Sequence, residues 1–417
     1  MKFSYPKEYD SVFDELVDRG YFEQATDEAE LKEKLKNESL TFYCGFDATA
    51  DSLTVGHLIQ IMVMMRMQNY GHKPIALLGG GTTMIGDPSG RSDMRMVMTK
   101  ERINHNAECF HKQFTRFLDF GEGEGQARVV NNADWLLNLN FVDFLRDVGS
   151  QFLVNEMLKK DAYKNRMEKG LTFFEFSYML LQSYDFLELY RKYDCRLQIG
   201  GSDQWSNIIG GYDLVKKHEE DKVYGMTFKL LTTADGVKMG KSQKGAVWLD
   251  EEKTSPYELF QYMRNIDDRD VEKFLLMLTF LPTEECRKLG AAKDAKSINH
   301  AKEVLAFEVT KLIHGEEKAK EAMEAARALF SGKGDEAAMP TTEIDKNDLP
   351  MGLLNLLTSI GLTKSNGEAR RTIQQGGLSI DDEKITDPSL EVTADLFQDE
   401  KIIIKKGKKN FHKVVLK

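Results

Sequence analysis

The chain has 417 residues and carries 57 Lys and Arg against 67 Asp and Glu, a formal net charge of −10. That length allows two or three domains, each with its own core, and that acidity excludes a general nonspecific nucleic-acid binder while leaving room for a local basic patch. Four cysteines, Cys44, Cys109, Cys195 and Cys286, stand far apart with no CxxC pair, which argues against a disulfide scaffold or a cysteine-rich zinc site and suits a reducing cytosol.

Over the first 220 residues, short apolar runs alternate with helical periodicity. LTFYCGF (40–46) reads as a strand, VGHLIQIMVMMRMQNY (55–70) as a helix and KPIALLGG (73–80) as a second strand. A helical pattern runs from Thr99 to Phe120, ARVVN (127–131) is a third strand, and 141–160 is helical in one or two pieces. CRLQIGG (195–201) is a fourth strand, with a helix from about Asp203. This alternation predicts an α/β fold: a mostly parallel, Rossmann-like nucleotide-binding sheet covered on both faces, with ligands at the carboxyl ends of its strands. From Asp267 the pattern turns helical (267–281 and 302–330), and SGKGDEAAMPTTEIDKNDLP (331–350) is polar and rich in breakers. The expected organisation is therefore 1–232 for the nucleotide-binding domain, 233–330 for a mobile loop and an α-helical domain, 331–349 for a linker and 350–417 for a small α+β domain. No uncharged apolar run of about 18 residues occurs, and the start MKFSYPKEYD lacks the features of a signal or transit peptide, so neither a membrane span nor a targeting segment is expected.

Candidate chemistry lies at the strand ends. TVGH (54–57) opens a helix directly after the first strand. Thr54 can serve as a plain helix cap with His57 satisfied locally. Equally, Gly56 lets a ligand approach the helix backbone, and the first-turn amides, the Thr54 hydroxyl and an imidazole N–H can face anionic oxygens. DGVKMGKS (235–242) offers the second element that such a reading needs. Lys238 and Lys241 flank a glycine, Ser242 follows, and on a flexible loop the two ammonium groups can converge on a triphosphate. The plain alternative is a surface turn with solvated lysines. GGGTTMIGDPSG (79–90) is glycine-rich but matches neither the P-loop nor the dinucleotide spacing.

Taken with YCGFDATADSL, GDPSGR, FEFSYMLLQSYDF and LQIGGSDQW in chain order, these segments resemble the bacterial tyrosyl-tRNA synthetases, a family of class I aminoacyl-tRNA synthetases, over essentially the whole chain. TVGH stands where that class has His-Ile-Gly-His, and KMGKS matches its Lys-Met-Ser-Lys-Ser loop in the tyrosyl form. The resemblance implies activation of L-tyrosine by ATP to tyrosyl-adenylate and transfer of the tyrosine to tRNA(Tyr). ATP is then a substrate, Mg²⁺ travels with its phosphates, no permanent cofactor and no protein metal ligand are expected, and the protein is a homodimer. By the same resemblance Tyr43 and Asp185 meet the substrate phenol, Tyr178, Gln182 and Asp87 its ammonium, Gln204 its carboxyl region, and Gln198 lines the pocket. Gly45, Asp47, Gly56, Gly200, Gly201, Asp203 and Lys241 contact ATP, with Asp203 on the ribose. Thr54, His57, Lys238, Lys241 and Ser242 carry the catalytic positions at the phosphates. A buried polar site built for a phenol rejects an analogue lacking the hydroxyl by about 10⁴–10⁵. One departure stands out: Thr54 replaces the first histidine of the signature, and it is shorter and uncharged.

The last 17 residues, KIIIKKGKKNFHKVVLK, hold seven lysines and no acid. Upstream, EARRTIQQGGLSID places Arg370 and Arg371 on a helix that Gly376 and Gly377 end before a hairpin. This segment resembles the S4-type RNA-binding domain of the same family, so Arg370, Arg371, Lys405, Lys406, Lys408 and Lys409 are the expected RNA contacts. A lysine-rich edge strand kept soluble by its charge is the plain alternative. Two other functions compete with the main one: a tryptophan-activating relative, which Tyr43 and Asp185 disfavour because an indole has no phenolic hydroxyl, and a noncatalytic RNA-binding scaffold, which the intact Lys238, Lys241, Asp203 and His57 disfavour.

Overall fold

The computed structural model describes residues 5–89, 98–121, 123, 125–167, 170–242, 245–330, 339–381, 383–397, 400–407 and 410–417. Six strands form one sheet: β1 (Phe22–Ala25), β2 (Thr41–Phe46), β3 (Lys73–Leu78), β4 (Arg128–Asn131), β5 (Cys195–Gly201) and β6 (Tyr224–Phe228). Their order is β1-β6-β5-β2-β3-β4, parallel from β2 to β6, with β1 antiparallel on the edge beside β6. The four strands expected from the apolar runs are all present; β1 and β6 are additions. The chain winds from β2 outward to β3 and β4, then returns to lay β5 against the other side of β2 and continues to β6. That reversal opens a crevice above the carboxyl ends of β2 and β5, where doubly wound sheets take their ligands.

Two connections lead out of this crevice into helices. β2 ends in a short loop and enters the helix Val55–Asn69, whose residues are apolar almost all round and are buried accordingly. β5 runs through a single 3₁₀ turn, Ser202–Gln204, into the helix Trp205–Glu219. Both helix starts face the crevice, so their positive dipole ends do as well. The helix Tyr178–Tyr193 precedes β5 and packs its buried face on the sheet. Downstream come the helices Pro256–Arg264, Val271–Leu278, Thr283–Gly290, Ala295–His314 and Glu316–Phe330.

By compactness the chain forms two units, one of Met1–Ser242, Ala246–Ser255 and Tyr262–Gly315, the other of Gln243–Gly245, Pro256–Gln261 and Glu316–Lys417. The second unit has its own core, which includes Leu353, Leu356, Leu357, Ile373, Ile402, Ile404 and Val414. In it the hairpin of Lys401–Lys406 and Asn410–Leu416 pairs on one side with Leu378–Ile380 and on the other with Thr341–Ile344. Thr341–Ile344 falls inside the expected linker. Its alternating half-buried and exposed residues suit a polar edge strand, a pattern that composition alone reads as loop. Among the described residues, no helix is long and apolar enough to cross a membrane.

Candidate active site

The crevice is an open cleft of ≈ 820 Å³ in the first unit, and its walls include nearly every residue singled out for tyrosine and ATP. Its inner end is a slot. Tyr43 on β2 lies in register with Gln198 on β5, and Asp185 comes down from the helix Tyr178–Tyr193. All three side chains are buried. The Tyr43 Oη, Gln198 Oε1 and Gln182 Oε1 atoms are buried without a hydrogen-bond partner. Each such atom costs free energy until something polar reaches it. Three together around one slot describe a site shaped for a polar ligand.

Asp185 is set differently. Its Oδ1 accepts from Trp135 Nε1 at 2.8 Å and its Oδ2 from Asn132 Nδ2 at 2.9 Å, so the carboxyl cannot rotate. Asn132 Nδ2 also donates to Thr82 Oγ1 at 3.0 Å, and its Oδ1 accepts from the Gly81 N–H at 2.7 Å. Burial pushes the Asp185 carboxyl up to about 8, against the opposing pull of the two donors, with the negative charge of Asp47 adding to the rise. Burial also pushes the Tyr43 phenol well above its ordinary value, so it stays a neutral donor and acceptor.

Above the slot, Tyr178, Gln182 and Asp185 form one helical stripe at spacings of four and three. Tyr178 Oη donates to Asp47 Oδ2 at 3.3 Å, and Asp47 Oδ1 accepts from Thr82 Oγ1 at 2.9 Å. Gln182 Nε2 donates to Gln204 Oε1 at 3.3 Å, and Gln204 Nε2 to Asp87 Oδ2 at 2.6 Å. Asn207 Nδ2 lies near Gln204, Asp87 and Ser89 at 3.2, 3.4 and 3.3 Å, bracing that chain from below. The structure thus brings Asp87, Tyr178, Gln182 and Gln204 together as acceptors and amides on one wall, from three separate parts of the sequence.

The outer part of the cleft holds the phosphate candidates. The Thr54 backbone N–H donates to His57 Nδ1 at 3.0 Å, and Thr54 Oγ1 lies 3.0 Å from the same nitrogen. Because Nδ1 accepts, the neutral ring carries its proton on Nε2. Burial lowers the His57 pKa to about 4, so the ring is a neutral donor at physiological pH. Thr54 both starts the helix and fixes the histidine, so the plain and the functional readings of TVGH coexist. Gly45 on β2 is exposed in the middle of the sheet, and a side chain there would project into open space, which leaves a ledge where a flat ligand can lie on the backbone. Gly56, Gly200 and Gly201 line the same cleft. Asp203 Oδ2 is paired with Lys238 Nζ at 3.0 Å, so the carboxylate expected on the ribose is here held by the loop lysine. Lys241 and Ser242 form a short strand whose side chains lie outside those described.

A family model for class I tRNA synthetases of the tryptophan and tyrosine type matches residues 35–331, and one for the tyrosine--tRNA ligase SYY-like C-terminal domain matches residues 333–414. The chain belongs to the tyrosyl family of class I tRNA synthetases. It is 57% identical over 406 residues to a tyrosine--tRNA ligase of Lachnoclostridium phytofermentans, covering 97% of this chain and 98% of that protein. It is 55% identical over 407 residues to a tyrosine--tRNA ligase of Caldanaerobacter subterraneus subsp. tengcongensis, covering 98% and 100%. Its fold is similar to the crystal structure of a C-terminally truncated mitochondrial tyrosyl-tRNA synthetase of Aspergillus nidulans, with a TM-score of 0.69 and 30% identity over 77% of this chain and 95% of that one.

For a member of this family, the residues that sequence reading passed over are the braces: Thr82, Asn132, Trp135 and Asn207. Asn132 and Trp135 sit in NNADW, immediately after β4, a strand-end position that could have drawn notice. The structure divides the apolar stretch 132–149. Trp135 is buried against Asp185, while Phe141 and Val142 are 64% and 69% exposed.

In the second unit Arg370 and Arg371 are exposed on the helix Asn366–Gln374. Lys405 lies over the Phe411 ring, 5.1 Å from its centre. Lys406 is tied within this unit: its ammonium donates to Glu368 Oε1 at 2.6 Å and the Leu362 carbonyl at 2.7 Å, and its side chain is 19% exposed. Lys408 and Lys409 lie outside the described residues.

Proposed function

We propose that the cleft binds L-tyrosine in the inner slot and ATP along the outer ledge, forms tyrosyl-adenylate and diphosphate, and then passes the tyrosyl group to the 3′ end of tRNA(Tyr), releasing AMP. The observation that carries this is the slot: unpartnered Tyr43 Oη beside an Asp185 carboxyl clamped by two N–H donors. A phenol reaches both, hydrogen-bonding to the Asp185 carboxyl and to the Tyr43 hydroxyl. Phenylalanine would leave the Tyr43 hydroxyl buried and unpaired.

The substrate carboxylate itself attacks the α-phosphorus and diphosphate leaves, so no side chain need act as nucleophile. The protein's part is alignment and charge stabilisation. Asp87, Tyr178 and Gln182 hold the ammonium, and Gln204 orients the carboxyl region. His57 donates its Nε2 proton from the helix mouth, with Thr54 behind it, while Lys238 and Lys241 close over the departing diphosphate. For that, Lys238 exchanges Asp203 for phosphate, which frees the carboxylate for the ribose hydroxyls. Mg²⁺ enters on the ATP phosphates as part of the substrate. Residues 1–232 bind tyrosine and ATP, the loop that follows them supplies Lys238 and Lys241, and Arg370 and Arg371 on the second unit contact the tRNA backbone. The exposed apolar side chains Phe141, Val142, Leu153, Val154 and Phe173 support a homodimer that covers them. The work of the enzyme places it in the cytosol.

Exchange of labelled diphosphate into ATP tests the reading. Tyrosine should support exchange, while tryptophan and no amino acid should not. Exchange with tryptophan would replace the substrate assignment, and no exchange with any amino acid would favour the scaffold.

A further inference from the structure

The loop that carries Lys238 and Lys241 is more firmly built than a flexible lid requires. Its first half is a tight turn: Thr233 N–H donates to the Val237 carbonyl at 2.8 Å, Gly236 N–H to the Thr233 carbonyl at 2.8 Å, and Met239 N–H to the Leu231 carbonyl at 2.8 Å. Lys238 leaves this turn toward the cleft. The chain then bends at Gly240, whose φ of +104° strains any other residue. There the loop lies directly on the helix mouth. A Cβ at Gly240 would stand 2.9 Å from the Gly56 nitrogen, and a Cβ at Gly56 3.4 Å from the Met239 carbonyl oxygen. The Val247 N–H donates to the Gly240 carbonyl and the Val55 N–H to the Val247 carbonyl, both at 2.9 Å, so the backbone between the two lysines is stitched to the start of the helix.

One side chain completes the stitching. Gly240 is buried, so its N–H needs a partner. It finds Tyr262, near the end of the helix Pro256–Arg264, and donates to Tyr262 Oη at 3.1 Å. The Tyr262 hydroxyl in turn points at Met239 Sδ, 3.4 Å away. A single hydroxyl thus holds the two residues between Lys238 and Lys241.

We propose that Tyr262 is a positioning residue for amino-acid activation: its hydroxyl docks the Met239–Gly240 backbone against the helix mouth, and so sets where both loop lysines meet the ATP phosphates. This rests on the assignment of Lys238 and Lys241 to those phosphates. Tyr262 touches no substrate; it acts through the loop. The test is steady-state diphosphate exchange by the full-length protein carrying Tyr262→Phe, Lys238→Ala, or both. Removing the one hydrogen bond while keeping the ring should lower kcat about tenfold, leaving KM for tyrosine and tyrosine affinity by equilibrium dialysis within about twofold. In the Lys238→Ala background the same change should cost less, because one of the two lysines it serves is gone. Gly240→Ala, which pushes the loop off Gly56, should reproduce the kcat loss with tyrosine binding intact. A slow Lys238→Ala together with a normal Tyr262→Phe would overturn the role of Tyr262 while leaving the lysine assignment standing. A normal Lys238→Ala would overturn that assignment and the proposal with it. A Tyr262→Phe that also loses tyrosine binding, or whose loss is fully additive with Lys238→Ala, would mark a general structural role and overturn the positioning one.

Discussion

Asp185 shows how one residue can be poor for stability and good for binding. Its ordinary carboxyl pKa of 3.8 rises to about 8 in the folded protein, chiefly through burial. Between those values the folded chain holds a proton that the unfolded chain has released. Stability therefore falls as pH rises from about 4 to about 8, by up to about 1.4 kcal/mol per pH unit from this group. Asp185→Asn removes that dependence. Its melting temperature relative to wild type should climb steadily from pH 5 to pH 8, although the amide leaves Asn132 or Trp135 short of an acceptor. A flat difference across that range would mean that the carboxyl titrates normally. His57 differs in sign: burial lowers its pKa to about 4, so it contributes no charge near neutrality. Both residues were legible in the sequence as members of a motif. The clamp on Asp185 was not, because Asn132 and Trp135 arrive from beyond β4 and Thr82, which braces Asn132, from beyond β3.

At the scale of elements, the helix Val55–Asn69 carries His57 at one end and a buried charge network at the other. Arg66 is fully buried and pairs with Glu15, which also pairs with Arg19 at 3.0 Å; Arg66 further donates to Tyr21 Oη and the Thr279 carbonyl. Nothing in the apolar periodicity of 55–70 marks this arginine, since a charged residue every few turns reads as a solvated face. Arg66→Ala takes from the buried Glu15 one of its two cations and should cost about 3–5 kcal/mol in urea denaturation. β2 supplies a contrasting case. Gly45 leaves a bare ledge between Tyr43 and Asp47, and Gly45→Val should fill it. KM for ATP in diphosphate exchange should rise about tenfold or more while tyrosine affinity changes less than about twofold. Equal damage to both would show that the strand itself has moved. The strands missed on paper, β1 and β6, were missed for a physical reason. β1 is only four residues long, polar and on the edge, so its pairing with β6 specifies it more than its own composition does.

For the whole molecule, a net charge of −10 conceals a division of labour. The activating unit is built around a cleft, and the second unit exposes Arg370 and Arg371 on a short helix over its own core. Phosphate contacts release counterions, so their loss changes salt dependence more than chemistry. Arg370→Ala with Arg371→Ala should leave diphosphate exchange unchanged. The slope of log KM for tRNA against log salt in the charging assay should fall by about 1–2. An unchanged slope would move the tRNA contact elsewhere on the chain.

What the sequence determined by itself was local: the apolar runs that become β2 to β5, the helix starts at Thr54 and after Gly201, and the types of residue offered at each strand end. These follow from periodicity and capping, which act over a few neighbouring residues. What only the tertiary structure decided was pairing. It set Tyr43 beside Gln198, clamped Asp185, gave Asp203 to Lys238, turned Lys406 inward to Glu368 and placed Tyr262 under Gly240. Those partners are far apart along the chain, and hydrogen bonds and burial depend on distance in space, which the order of residues does not express.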